Sequence, residues 1–491
     1  MIQINKEYLQ NEKNISNIVE EAQTMLAKRK IMYDRYTRKI DLKDIKVPLE
    51  YYIVNIASGF FGGKAPKYSV KQETNKKKKK IIQEMFDKLV GKNADPEELQ
   101  ILIDYIRDYN DDSSFFYELV KDYLSTNACY GLVYENKDNE IVYSRVPSTQ
   151  CVALYDYSTP VNKIGLMRIW QETDSNGFEA TMVELILDNK KKYYKNSKSK
   201  PKIYNEIENS EKEVKWSMLP AIAIENPDEL TIFEPVITLI DAYETIIKNN
   251  RNIFEYNDDA KLKITGFMPQ SELMTRDDKG NTVLNPERQK EDEALLRSKV
   301  FYTPDQSGNI EWIIKNINDT ASENHKKTLI ELILMITCVP NVTDVGFTNA
   351  DNASALEKKF FPLEQILIQA DKQFKKELLY LWELIIDRIN KEKNKKYDFR
   401  EIQIELQRNM PADKNDIVDM AMKLRGLLSD ESVMGMLPYD LDVESELAKV
   451  KKQNDENMQD NIDIMKRLGN NKETEKEEVI EKEENKNITE E

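Results

Sequence analysis

The sequence is poor in the residues that usually mark a reactive site. It holds one histidine, three cysteines and 14 glycines in 491 residues. Cys129, Cys151 and Cys338 are odd in number, far apart and in no metal-ligand spacing. That excludes a disulfide framework and a zinc site, and it predicts a reducing compartment. The single histidine, His325, shares an expected helix with Cys338, about 20 Å away at 1.5 Å rise per residue, so the two make no nucleophile–base pair within one subunit. No G-x-S-x-G signature supplies another partner for it. Long apolar runs are missing as well. The longest, "LIELILMITCV", is interrupted by Glu331 and falls short of the ~20 residues of a membrane span. The N-terminus, "MIQINKEYLQNEKN", has no apolar signal core. Basic charge is in deficit, 72 Lys and Arg against 88 Asp and Glu for a net −16, which disfavours wrapping nucleic acid through phosphate contacts. These absences predict a soluble intracellular protein without cofactor, metal or membrane partner.

What is present is helical text broken by one β-rich stretch. A glycine share below the usual ~7% favours helices, and the length suits roughly three domains' worth of structure. Apolar spacing through Ile18, Ala22, Met25 and Leu26, and again through Tyr51, Tyr52 and Ile56, predicts helices in the first 60 residues. Lysines 76 to 80 open an amphipathic stretch, and "SFFYELVKDYLSTNAC" follows the capping candidates Asp112 and Ser113. Alternation then sets in. "GLVYE" and "EIVYSRV" flank the turn residues Asn136 to Asn139, and more short strands follow to about 225. "TIFEPVITLIDAYETIIKNNRNIFEYND" reads as a long helix, "AKLKITGF" as a strand, and "SKVFYTPDQSGNIEWIIKN", 298–316, as two strands around a turn at Asp305 to Asn309. A capping box from Thr320 to Glu323 starts a helix that Pro340 stops, and a second from Ser354 to Glu357 launches a helix of over thirty residues that Pro362 bends. Helical text resumes from Asp413 to about Lys452. The last 21 residues carry nine glutamates against four lysines and read as disordered.

Candidate chemistry is thin. "SGFFGGKAP" suggests a phosphate-binding loop, but Ser58 stands at the first glycine position, Ala65 replaces the magnesium-binding hydroxyl, and a helix precedes it where a strand should. The expectation is a helix ended by Gly59, with Gly62 and Gly63 shaping a turn before strand "KYSV". The doublets Asp111-Asp112, Asp258-Asp259 and Asp277-Asp278 suit turns and caps better than magnesium. Trp170, Trp216, Trp312 and Trp382 sit in strand or helix patterns and are expected in the core.

The order of elements, and five segments within it, resemble the portal proteins of tailed bacteriophages, of the siphovirus type common in phages of Gram-positive hosts. The segments are "NIASGFFGGKAPKYSV", "FFYELVKDYLSTNACYGLVYENKDNEIVYSRVPSTQCVALYD", "LPAIAIENPDELTIFEPVITLIDAYETIIKNNRNIFEYNDDAKLKITG", "VTDVGFTNADNASALEKKFFPLE" and "IELQRNMPADKNDIVDMAMKLRGLLSDESVMGMLPYDLDVESELAKV". Together they cover most of residues 45 to 452. Two departures stand out: residues 268–298 match no family segment, and Ala65 separates Lys64 from the proline that usually follows it.

The resemblance implies an α+β, predominantly helical portal fold with a wing at 1–232, β-rich at about 130–225. It implies stem helices at 233–260 and 319–339, a clip at 261–318, a channel loop at 340–354, a long bent wing helix and return strand at 355–411, and a helical crown at 412–455, before an acidic tail at 456–491. Gly59, Gly62, Gly63 and Lys64 would shape a wing turn and bind no nucleotide. Val342, Thr343, Asp344, Val345, Gly346, Phe347, Thr348, Asn349 and Asp351 would line the channel. The implied assembly is a dodecameric ring at one capsid vertex, made in the host cytoplasm and carried in the virion. Its implied partners are terminase, head-completion or connector proteins, major capsid and scaffold proteins, and the double-stranded DNA passing through. No enzymatic activity is implied. The other readings are a helical scaffold or adaptor acting as monomer or dimer, and a metal-dependent nuclease using the aspartate doublets. From composition alone, truncation after Asn470 is expected to leave melting temperature and assembly yield unchanged, as calorimetry and size-exclusion chromatography would register.

Overall fold

The computed structural model describes residues 2–10, 12–38, 45–71, 96–173, 177, 179–188, 190–197, 200–207, 212–213, 215–258, 261–265, 271–297, 300–303, 309–313, 319–342, 353–410, 414–435, 437, 445–454 and 458–459. The lysine run 76–80 and, apart from 458–459, the acidic tail at 456–491 lie outside them. The chain forms two units, Met1–Asp344 with Lys359–Asn409, and Val345–Lys358 with Met410–Glu491.

In chain order the first unit holds β1 (Ile2–Gln3), α1 (Glu12–Thr37), α2 (Leu49–Gly62), β2 (Lys67–Val70), α3 (Pro96–Tyr109) and α4 (Asp112–Thr126). The β-rich stretch follows as β3 (Ala128–Glu135), β4 (Ile141–Val146), β5 (Cys151–Tyr155), β6 (Lys163–Thr173), β7 (Glu179–Ile186), β8 (Lys190–Ser197), β9 (Lys200–Glu206), β10 (Lys212–Glu213) and β11 (Ala221–Glu225). Next come α5 (Ile237–Asp258), β12 (Lys261–Thr265), β13 (Met274–Arg276), β14 (Thr282–Leu284), α6 (Pro286–Arg297), β15 (Val300–Thr303), β16 (Asn309–Ile313) and α7 (Asp319–Thr337). The long helix α8 (Ala353–Lys393) and strand β17 (Ile402–Glu405) complete it, α8 beginning in the second unit. The second unit contains α9 (Lys414–Leu424), α10 (Asp430–Met434) and a helical stretch at 445–454.

Strand β5 explains how the β-rich region packs. Its "CVAL" run is buried on both faces because successive side chains point oppositely. Val152 and Leu154 join a core with Ile15, Ile18, Val19, Ala22 and Leu26, the apolar stripe of α1. Cys151 and Ala153 face the other way, into a core with Tyr130, Val146, Ala221 and Ala223. The seven-stranded sheet, ordered β1-β5-β6-β7-β8-β10 with β9 also on β8, therefore lies between α1 and the small sheet β11-β3-β4. The sequence reading missed β1. Two residues are too few to show a period, and Ile2 is placed by parallel pairing with Leu154, far along the chain, and by burial in the core against α1.

Arg29 crosses this region. It donates to the Tyr130 hydroxyl at 2.7 Å and to the Cys151 carbonyl at 2.8 Å, and pairs with Glu225 at 3.2 Å. Burial works against its charge, but Tyr130 and Glu225 more than offset that and raise its pKa.

Elsewhere several expectations are corrected. Strands β15 and β16 both form, yet β12 lies between them, parallel to β15 and antiparallel to β16. The unmatched segment 268–298 contains the pair β13–β14 and helix α6. The cap of α4 is Asp111, whose side chain accepts the Ser114 N–H at 3.3 Å, while Asp112 is buried within the helix. Thr320 and Ser354 both fall inside their helices, which start earlier than the capping-box reading put them. Pro362 is accommodated inside α8 at the loss of one backbone donor. Trp382 and Trp216 are buried, but Trp312 is 62% exposed on β16.

The glycine-rich stretch is the end of α2. Gly59 does not terminate the helix, which continues to Gly62 because Phe60 and Phe61 pack on: Phe60 stacks on Phe360 at 4.9 Å and Phe61 meets Phe374 edge-on at 5.5 Å. A β-carbon at Gly62 would sit 3.1 Å from Val120, and one at Gly63 2.2 Å from the Gly59 carbonyl and 2.5 Å from Asn409. Gly59 has open space around it. Gly63→Ala is therefore expected to destabilise by about 1–3 kcal/mol, as overpacking does. Gly59→Ala should stabilise by roughly 0.5–1 kcal/mol, the cost of glycine inside a helix. Paired thermal melts check both; equal shifts would contradict the geometry.

Candidate functional site

The structure scatters most of the sequence candidates. The chain enters Gly62-Gly63-Lys64 from a helix and leaves by strand β2, the reverse of a phosphate loop. Lys64 is exposed at a helix C-terminus, the end whose free carbonyls repel anions. His325 is exposed on α7, and Cys338 follows that helix. Cys129 and Cys151 are buried, and burial pushes both thiols up, away from reactivity. Asp112 accepts from the Tyr143 hydroxyl at 2.9 Å and faces Arg107. Asp277 takes the Asn281 and Lys279 amides at 2.7 and 2.9 Å in a turn. Asp258 ends α5, and Asp259 lies outside the described residues. Among the described residues no group of three or more His, Cys, Asp or Glu could hold a metal. No helix there is long and apolar enough to cross a membrane.

What the fold does bring together is a pair of helices and the start of the loop. Helices α5 and α7 pack side by side, with the Asn250 amide donating to the Ser322 hydroxyl at 3.0 Å. That bond joins the second half of α5 to the first turn of α7, so the helices run in opposite senses. Residues 261–313 leave and return at this end. At the other end α7 stops where Cys338 turns left-handed, at φ 55. The chain then bends around one side chain: the Tyr52 hydroxyl donates to the Pro340 carbonyl at 2.8 Å and accepts the Val342 N–H at 3.1 Å. Of the channel-loop candidates, Val342 is placed by this bond. Thr343, Asp344, Val345, Gly346, Phe347, Thr348, Asn349 and Asp351 lie outside the described residues.

Two residues before Tyr52, in the first turn of α2, stands Glu50, with its side chain 0% exposed. Arg35 reaches it at 2.9 Å and Arg38 at 3.0 Å, both from the end of α1. The same arginines continue to α5, Arg35 to Asp241 at 2.7 Å and Arg38 to Glu244. Glu244 also accepts the Val47 N–H at 3.0 Å. Burial opposes the Arg35 charge, and its bonds to Asp241 and Glu50 raise its pKa regardless. Sequence reasoning missed Tyr52, Glu50, Arg35 and Arg38 as site residues. The only local signal is an acidic residue in a helix first turn, which usually serves the helix dipole and no more.

The sequence matches the family model described as "Phage portal protein, SPP1 Gp6-like" over residues 1–460. No curated protein matches it. Among solved structures it is similar to a chain described as "Neck of native GTA particle computed with C12 symmetry", at 11% identity and a TM-score of 0.36, covering 80% of this chain and 90% of that one. With its family model matched over residues 1–460, the chain belongs to the SPP1 Gp6-like phage portal proteins.

Proposed function

We propose that this portal protein assembles into a closed dodecameric ring at one vertex of a siphovirus-type capsid. The ring is the channel through which double-stranded DNA is packaged and later ejected. Membership of the portal family over residues 1–460 carries the reading, and that family is structural rather than catalytic.

In this reading residues 1–232 and 355–411 are the wing, 233–260 and 319–339 the stem, and 261–318 the clip. The opposed α5–α7 pair suits a stem, since it holds 261–313 at one end and the loop start at the other. The clip docks terminase, which hydrolyses the ATP, and afterwards the head-completion proteins. Residues 412–455 form a crown, and 340–354 reach into the channel. The ring assembles in the host cytoplasm with scaffold and major capsid proteins and remains in the virion.

Subunit contacts have an evident source in side chains that a lone subunit leaves in water. Phe254 on α5 is 58% exposed and Met335 on α7 65%, with Ile336, Phe361 and Ile366 also partly or largely bare. Apolar side chains left in water are buried by a neighbouring subunit, and a head-to-tail contact whose rotation closes yields a ring. Acidic residues at the lumen repel phosphate, so the duplex slides without adhering.

Electron microscopy of the purified full chain should show rings with a central hole; only monomers or dimers at micromolar concentration would refute the reading. Asp344→Lys with Asp351→Lys should still give rings, but slow packaging by about tenfold at low salt, easing as salt rises and phosphate contacts weaken. Packaging at the wild-type rate in low salt would remove the loop from the channel.

A further inference from the structure

Just after α7 the backbone is held by the Tyr52 hydroxyl, which sits one helical turn or less from Glu50. Its two bonds are complementary, one given to Pro340 and one taken from Val342, so the hydroxyl is used fully and fixes residues 340–342 in a single arrangement. Glu50 and Tyr52 share the first turn of α2, so whatever holds Glu50 also holds Tyr52. Glu50 is held by Arg35 and Arg38, and through them by Asp241 and Glu244 on α5. Charge-assisted hydrogen bonds from α5 to Glu50, the helical backbone of α2, and the two bonds of Tyr52 thus link α5 to the chain leaving α7, without passing through the contact between the two helices themselves.

We infer that the first turn of α2 is a coupling joint, with Tyr52 as the positioning residue for the chain leaving α7. The joint sets the direction in which the chain departs at Val342 according to where α5 lies against α1 and α2. Its consequence for DNA movement rests on the channel reading above; the coupling itself does not. Glu50 acts at a distance. Its own bonds go to Arg35 and Arg38, and it affects Pro340 and Val342 by fixing the helix that carries Tyr52.

The test uses assembled full-length protein and amide exchange by mass spectrometry, read on peptides containing Asn341 and Val342. Tyr52→Phe keeps the ring and removes the hydroxyl, and exchange there should rise about fivefold, as loss of one hydrogen bond allows. Exchange in the β5–β6–β7 sheet should not change, which separates release of the joint from general loosening. Glu50→Gln should raise exchange in the same peptides, by about two- to fivefold. If that variant does not assemble, Asp241→Asn, which loosens only the exposed end of the network, must act in the same direction. Both variants that assemble should package DNA more slowly than wild type.

Unchanged Asn341–Val342 exchange in Tyr52→Phe would overturn the clamp. A Glu50 or Asp241 effect confined to α1 and α5 would overturn the coupling. Altered exchange with wild-type packaging would overturn the role in translocation. Failure of the wild type to form rings would count against the portal reading, while the exchange results would still judge the joint.

Discussion

A carboxylate removed from water has to be matched, and Glu50 is removed completely. Taking away one partner of such a buried group costs about 3–5 kcal/mol, because the other charge is left without solvent or counter-ion. The end of α1 must therefore stay where Arg35 and Arg38 reach α2. Since those guanidiniums also bind Asp241 and Glu244, α5 is brought to the same place. Two consecutive helices, α1 and α2, and a third far along the chain, α5, are thereby set in one geometry. Arginine suits this work because its planar fork can bond two acceptors at once while remaining charged.

The rest of the first unit follows from where α1 and α2 are held. Along α1 the stripe Ile15–Leu26 covers one face of the large sheet, and β5 passes the load to the small sheet behind it. Arg29, on the same helix, repeats the logic of Glu50 with the sign reversed, a buried cation matched by Glu225 and Tyr130. Along α2 the aromatic end packs on α4 and α8, through Phe61, Phe116 and Phe374. Gly62 and Gly63 are small there because Val120 and Asn409 come close. A phosphate loop and this turn share Gly-Gly-Lys in sequence but present opposite ends of a helix to the glycines. Helix polarity decides which anion, if any, is welcome.

Much of the architecture was legible in the residues. Alternation marked β3 and β4, whose turn is held by Asn136 accepting the Asp138 and Glu140 amides. Helical spacing marked α1, α4, α5, α7 and α8, and five segments in order carried the family. These are local properties: a period of 2 or 3.6 is written within ten residues, and so is turn chemistry. The departures from a nucleotide-loop pattern were legible for the same reason, since its requirements are positional.

Tertiary structure decided what depends on partners distant along the chain. Strand β12 separates β15 from β16 because pairing is won by the best edge available, not by the nearest in sequence. Gly59 continues a helix because Phe60 and Phe61 have aromatic partners more than 250 residues away. Glu50 and Tyr52 look like an ordinary first turn until Arg35, Glu244 and Pro340 arrive beside them. The sequence by itself determined most of the helices, the β3–β4 hairpin and the family. The burial of one carboxylate, and the hydroxyl two residues beyond it, acquire meaning only once the chain has folded, because a charge is costly only where water is gone.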